Sequence, residues 1–511
     1  MHILQELAFI VTKSKLRAAE QNSIYTDSRL MELYEGMASR NFETDEDAVY
    51  SIFGAKQADQ NYYKLKSTLK SRLVDYLFLI DLNRPSYNER QRAYYACYKN
   101  WAAVKILLGK NARNAAVSLS LSILKQAQRF EFTELSLDIC RILRLHFGTR
   151  KGNVKKYEQY NVLFKEYEGL WMAENRAEEL YTELVVFFVN ARASQPEISQ
   201  SARMYYEEIS GLLARFDSYR LRFSGYFILL TQYMSNNDYE NTITVAEEAI
   251  HYFESKDYQA TAPLLIFLYQ QLVCYIQLKE YEAGRKTARR CLELTEEGSF
   301  NWFKFQENYF LLAMHSCHYQ EAYHILMATQ ANKHFVHLPQ NILEIWKIFQ
   351  AYLHYLALLG IVKPEEEEGN QKFRLQKFLN DVPIFSKDKQ GMNVPILIIQ
   401  VLFLIHQQRF EIAADRIECV RKYASRYLVN DGTYRSNCFI KMLHKLPAAH
   451  YHKQAVIRKA NPLVEKLEAA PLNVAGQAHD IEIIPYEKLW ELLLNSLDRK
   501  FHRGRQTAAN R

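Results

Sequence analysis

The chain has 511 residues, 48% of them hydrophobic, and a formal charge of +7, enough apolar material for a large core and too little charge to require an anionic partner. Glycine (16) and proline (11) are scarce against usual shares of about 7% and 5%, which starves turn-rich β architectures. Seven widely spread cysteines without a CxxC pair suit buried free thiols in a reducing compartment. No apolar run is read as approaching the roughly 18 to 20 residues a bilayer needs, and Glu6 interrupts the first short stretch, so the expected location is cytoplasmic, away from membranes.

In chain order, residues 1–88 read as a small N-terminal helical region. "SRLMELYEGMAS" (28–39) is one helix; Thr44 caps "DEDAVYSIF", which Gly54 ends; Asp59 opens a longer helix with Leu65, Leu69, Leu73, Tyr76 and Leu77 on one face. "NRPSYN" (83–88) is the first boundary. Helical hairpins fill 89–220, placed near 89–108, 111–128, 131–147, 153–171, 173–193 and 198–215, with short breaks that make neighbours antiparallel.

Over 221–332 a repeat emerges. Tyr239, Tyr281, Tyr319 and Phe410 each start a helix after a short polar turn, the first three spaced by 42 and 38 residues, the scale of a two-helix unit. The 91-residue gap to Phe410 holds an extra helix, "NILEIWKIFQAYLHYLALLG" (341–360), and an acidic loop (362–372), together spanning 333–392. A further repeat and a C-terminal capping helix (484–501) occupy 393–500, and 501–511 is a basic tail expected to be disordered.

Small residues follow each aromatic start: Thr242 and Ala249, Gly284 and Cys291, Ala322, and Ala413, with Leu229, Tyr233 and Tyr275 on preceding helices. This pattern resembles the tetratricopeptide repeat, although its first-helix Trp and Gly and its closing Pro are absent. The resemblance implies an all-α chain of antiparallel hairpins stacked as an α-solenoid, a non-catalytic scaffold or adaptor binding a protein or peptide, or a homo-oligomer. Mapping the family's inner-face positions selects Tyr269, Lys304, Glu307 and His315 as partner-binding residues. The same face includes Val273, Ile276, Leu311, Ile398 and Leu402, and "LLIFLYQQLVCYIQL" (264–278) and "VPILIIQVLFLI" (394–405) are apolar nearly all round. Such helices are either core or a groove for an apolar helix.

Catalytic spacings are missing: no GxxxxGK[ST], GxGxxG, GxSxG or HExxH occurs, so neither an enzyme nor a cofactor is expected. His315, Cys317, His318 and His324 straddle a predicted turn and read as surface and core residues rather than metal ligands. Lys64, Lys66, Lys70 and Arg72, near the start of the 60–80 helix, outline a helix-turn-helix loosely. They give the alternative expectation, a transcription regulator whose N-terminal helices bind DNA.

Overall fold

The computed structural model describes residues 1–13, 28–39, 41–81, 87–189, 195–364, 393–427, 434–470 and 482–497. Among them all regular structure is helical. The tail 501–511, most of the acidic loop 362–372 and the "NDG" of the break after 428 lie outside the described residues. Two compact units emerge, residues 1–175 with 257–259, and residues 176–256 with 260–511.

The first unit begins with α1 (His2–Lys13), α2 (Ser28–Ala38), α3 (Asp45–Phe53) and α4 (Gln60–Leu77). They share a core in which Leu4, Ala8, Leu33, Met37, Leu69 and Leu73 are buried. Local chemistry sets their ends. The Thr44 hydroxyl accepts from the Asp47 amide while the Asp47 carboxylate accepts from the Thr44 amide, a reciprocal cap, and Gly54 closes α3 at φ 64°. The Asp59 carboxylate caps α4 through the Tyr62 amide. Next come α5 (Glu89–Gly109), α6 (Arg113–Arg129) and α7 (Thr133–Leu145), each packed on its neighbour.

A single helix, α8 (Val154–Val189), replaces the two expected over 153–171 and 173–193. Around Trp171 the chain carries no proline, and the one nearby glycine, Gly169, is tolerated inside a helix. The second unit continues with α9 (Gln195–Arg215), α10 (Tyr219–Met234), α11 (Tyr239–Glu254), α12 (Thr261–Leu278), α13 (Tyr281–Glu293), α14 (Phe300–His315) and α15 (Tyr319–Ala331). After α16 (Gln340–Leu358) it is completed by α17 (Asn393–His406), α18 (Phe410–Tyr427), α19 (Tyr434–Leu443), the short α20 (Lys445–Ala448), α21 (Lys453–Glu468) and α22 (Tyr486–Leu497).

One turn recurs. Before the helices that start at Arg113, Thr133, Tyr239, Tyr281, Tyr319 and Phe410, the residue two positions back is left-handed: Asn111, Glu131, Asn237, Lys279, Cys317 and Gln408 have φ between 56° and 62°. The next amide then reaches back five residues to the preceding helix, as in Asp238 to the Tyr233 carbonyl (3.0 Å), Glu280 to Tyr275 (3.0 Å) and His318 to Ala313 (2.8 Å). These bonds consume carbonyls that a helix end leaves open, and they reverse the chain in a few residues. Three residues into each following helix stands a small buried side chain or none: Ala116, Ser136, Thr242, Gly284, Ala322 and Ala413. The two helices of each turn cross closely there. A Cβ on Gly284 would stand 2.7 Å from a methyl of Leu312 and 3.1 Å from the Tyr275 Cβ.

The apolar helices are explained by their neighbours. Helix α12 packs on α11 and α13 and also on α14, and α17 packs on α16, α18 and α22, so most of each helix is covered. Gln271, inside α12, is satisfied by Glu247 (3.2 Å) and Thr287 (3.1 Å). The expectation that no stretch approaches membrane-spanning character needs correction. Among the described residues Thr261–Leu278 has the length and composition to cross a bilayer, and 61% of it is buried inside the protein. Its three glutamines interrupt the apolar run without offsetting the rest of the helix.

Five of the seven cysteines are buried, while Cys317 and Cys419 are exposed. Burial pushes the Cys274 and Cys291 thiols up to about 12. Alkylation of the native protein at pH 8 is therefore expected to modify Cys317 and Cys419 quickly and the buried five only after unfolding, as read by peptide mass mapping. Gly284→Leu is expected to cost about 1–3 kcal/mol through overpacking. Gly211→Ala, where the added methyl meets nothing within 4 Å, is expected to gain about 0.4–1 kcal/mol. Urea unfolding of the two variants checks both.

Candidate functional site

The four inner-face residues fall into two kinds. Tyr269, midway along α12, and Lys304, in the second turn of α14, are half-buried; Tyr269 meets the Phe305 ring edge-on and Lys304 bonds Glu307 at 2.7 Å. Glu307 and His315 are buried, as are Val273, Ile276 and Leu311 on the same face. Exposure thus declines along each helix toward its C-terminal end. At that end the face is core in this conformation, and what covers His315 is the chain's own residue Glu482, 167 positions away.

That contact belongs to a buried polar cluster built around Arg435. The guanidinium grips the Glu482 carboxylate with two bonds (2.6 and 3.1 Å) and bonds Glu487 at 2.8 Å. It also donates to the carbonyls of Leu467 (2.9 Å) and Ala470 (2.6 Å), at the C-terminal end of α21, where carbonyls lack helical partners and a cation is favoured. The Glu482 carboxylate in turn accepts from the Tyr486 amide (3.1 Å), placing an anion at the start of α22. One arginine therefore joins the end of one helix to the beginning of the next.

Around it the packing is aromatic. Phe439 stacks on Tyr486 with centroids 4.4 Å apart and meets Trp490 edge-on, and the Ser436 and Tyr486 hydroxyls lie 2.8 Å apart. Ile483, Ile484, Tyr486, Leu489, Trp490 and Leu493 are all buried, whereas Lys488 and Glu491 face outward. The His315 Nε2–H donates to the Glu482 carbonyl oxygen at 2.5 Å, which assigns the tautomer, and no partner within hydrogen-bond distance meets its Nδ1 among the described residues.

Electrostatics follow from burial. Desolvation opposes the charge of Arg435, but Glu482 and Glu487 overcome it and hold the guanidinium firmly protonated. Burial keeps the Glu482 carboxyl above its ordinary range despite its bonds to Arg435. Burial also drives the His315 ring down to about 4, helped by the nearby charges of Lys279 and Arg435 and opposed by its bond to the Glu482 carbonyl. What the cluster offers chemically is capture of a carboxylate by a preset guanidinium fork.

Sequence reasoning passed over Arg435, Glu482 and Glu487. Their signal was present: "EIIPY" sets an acid against two isoleucines, and "YRSNCFIKML" sets an arginine against an apolar helix face. Charges in such surroundings imply each other.

The basic residues of α4 are dispersed. Lys66 is tied to Asp45 by bonds of 2.6 and 2.9 Å; burial opposes the Asp45 charge, and the Lys66 and Tyr62 bonds still lower its pKa. Arg72 is half-buried, which leaves Lys64 and Lys70 exposed. Of the histidine cluster, His318 stacks on the Tyr281 ring (3.6 Å) and His315 is buried, and no group of three metal-binding side chains forms among the described residues. Comparison with protein-family models, with curated proteins and with solved structures finds no match for this chain.

The depressed His315 value sets a pH dependence. Because the folded pKa lies below the ordinary 6.5, the unfolded chain binds the proton more tightly. The stability carried by neutral His315 is complete above about pH 6.5 and is lost as pH falls toward 4. Raised Glu482 acts in the opposite sense, so the comparison is with His315→Gln, which keeps Glu482. Between pH 7 and pH 4.5 the wild-type protein should lose about 2–3 kcal/mol more unfolding free energy than the variant, measured by urea denaturation at each pH.

Proposed function

We propose that the chain is a tetratricopeptide-like binding protein, a scaffold without chemistry of its own whose stacked helical hairpins take up a helix or peptide from a protein partner. The observation that carries this reading is α22. Helices α17, α19 and α21 already hold an apolar helix by its Tyr486, Leu489, Trp490 and Leu493 stripe, the i, i+3, i+4, i+7 spacing of helix-in-groove recognition. The recurrent left-handed turn and the small residue three positions after it support hairpin stacking. The half-buried Tyr269 and Lys304 mark the part of the inner face left accessible beyond the buried end.

Gentle purification from the native cells, with crosslinking mass spectrometry and light scattering on one sample, tests the reading. A protein recovered in near-equal amount and crosslinked to Lys279 or Lys304 is the expected result. A bare monomer crosslinked to nucleic acid through Lys64 and Lys70 overturns it in favour of a DNA-binding regulator.

A further inference from the structure

We propose that the seat of α22 is a receptor site for a helix of a partner protein, and that residues 482–497 hold that seat only until such a helix arrives. The partner helix carries a carboxylate four residues ahead of an aromatic and leucine stripe. This rests on the binding reading above and names the ligand class it leaves open.

The seat exists apart from its occupant. Arg435 is oriented by the Leu467 and Ala470 carbonyls, which lie outside the C-terminal segment, so its remaining donors stay aimed at whatever carboxylate enters. Phe439 supplies the ring face, Ser436 the hydroxyl, and α17 an apolar wall. The present occupant uses all three.

It also leaves part of the seat unanswered. His315 is 2% exposed and, among the described residues, its Nδ1 meets no partner and the buried Glu487 Oε2 that the occupant itself brings is unmet. A buried acceptor left so is costly. A ligand that places a hydroxyl or amide donor against His315 and an uncharged residue in place of Glu487 binds better than residues 482–497 do. Recognition is selective for an acid, because removing the occupant without supplying another carboxylate strands a buried guanidinium. The tether raises the local concentration of the cis segment to about the millimolar range, so an equal ligand in trans competes only at such concentrations or when the cis segment is weakened.

The test uses the full chain carrying Glu482→Gln and Trp490→Ala, and a fluorescent peptide with the sequence of residues 482–497. The peptide is expected to bind this variant at least about tenfold tighter than the wild-type chain, whose seat is filled. A peptide with Glu482→Gln is expected to bind about a hundredfold more weakly. A folded variant that ignores the peptide, or that takes both peptides equally, overturns the proposal. Should the variant not fold, millimolar wild-type peptide is added to the wild-type chain and amide exchange is followed. Accelerated exchange in the chain's own 486–497 upholds the proposal, and unchanged exchange overturns it. A native partner that crosslinks only near Tyr269 and Lys304 and leaves that exchange unchanged refutes the seat while the binding reading stands. Recovery of no native partner at all overturns the binding reading and this proposal with it.

Discussion

The Arg435–Glu482 pair is the constraint on which the C-terminal half of the second unit depends. Three elements converge on it: the end of α21, the start of α22 and, through the Glu482 carbonyl, the last residue of α14. A buried ion pair seldom adds net stability compared with a well-packed apolar alternative, yet breaking one by removing a partner costs about 3–5 kcal/mol. Its contribution here is therefore one of placement. Apolar contact alone would let α22 slide or rotate on the aromatic surface of Phe439. Two guanidinium bonds and an aromatic stack fix one register.

The rest of the array depends on geometry of a different kind. The six left-handed turns reverse the chain without long loops, and the small residues beyond them let helices approach until Leu312 and Tyr275 close over Gly284. Close approach makes consecutive helices share so much surface that most of α12 and α14 is covered. Gln271 shows the resulting rule for polar residues in this interior: it is admitted because Glu247 and Thr287 meet it. His315 is admitted on looser terms, with one nitrogen bonded and the other without a partner among the described residues.

How much of this was legible in the sequence depended on distance along the chain. Thr44, Gly54 and Asp59 announce helix ends because caps act within four residues, and Tyr239, Tyr281 and Tyr319 mark turns for the same reason. Where local signals were faint the reading slipped. Nothing near Trp171 compels a break, so two expected helices are one, and α21, for which no helix was expected, buries Val456, Ala460 and Leu467. Family positions led to His315 and Glu307 as contact residues, but whether a face meets solvent or its own chain is decided by Glu482, far away in sequence. The pairing of Arg435 with Glu482 spans 47 positions and obeys no periodicity.

That distance has a consequence in time. During synthesis, residues up to Ala470 leave the ribosome before Glu482 does, so α19 and α21 can assemble around an arginine whose carboxylates have not yet emerged. Until they arrive, Arg435 keeps its two backbone carbonyls and an unshielded charge beside Phe439, and the faces of α17, α19 and α21 that hold α22 stay uncovered. The second unit is thus completed from its C-terminal end in a single late step. A nascent or truncated chain that lacks that step exposes an apolar, cationic surface, the kind on which chaperones and misassembled neighbours settle.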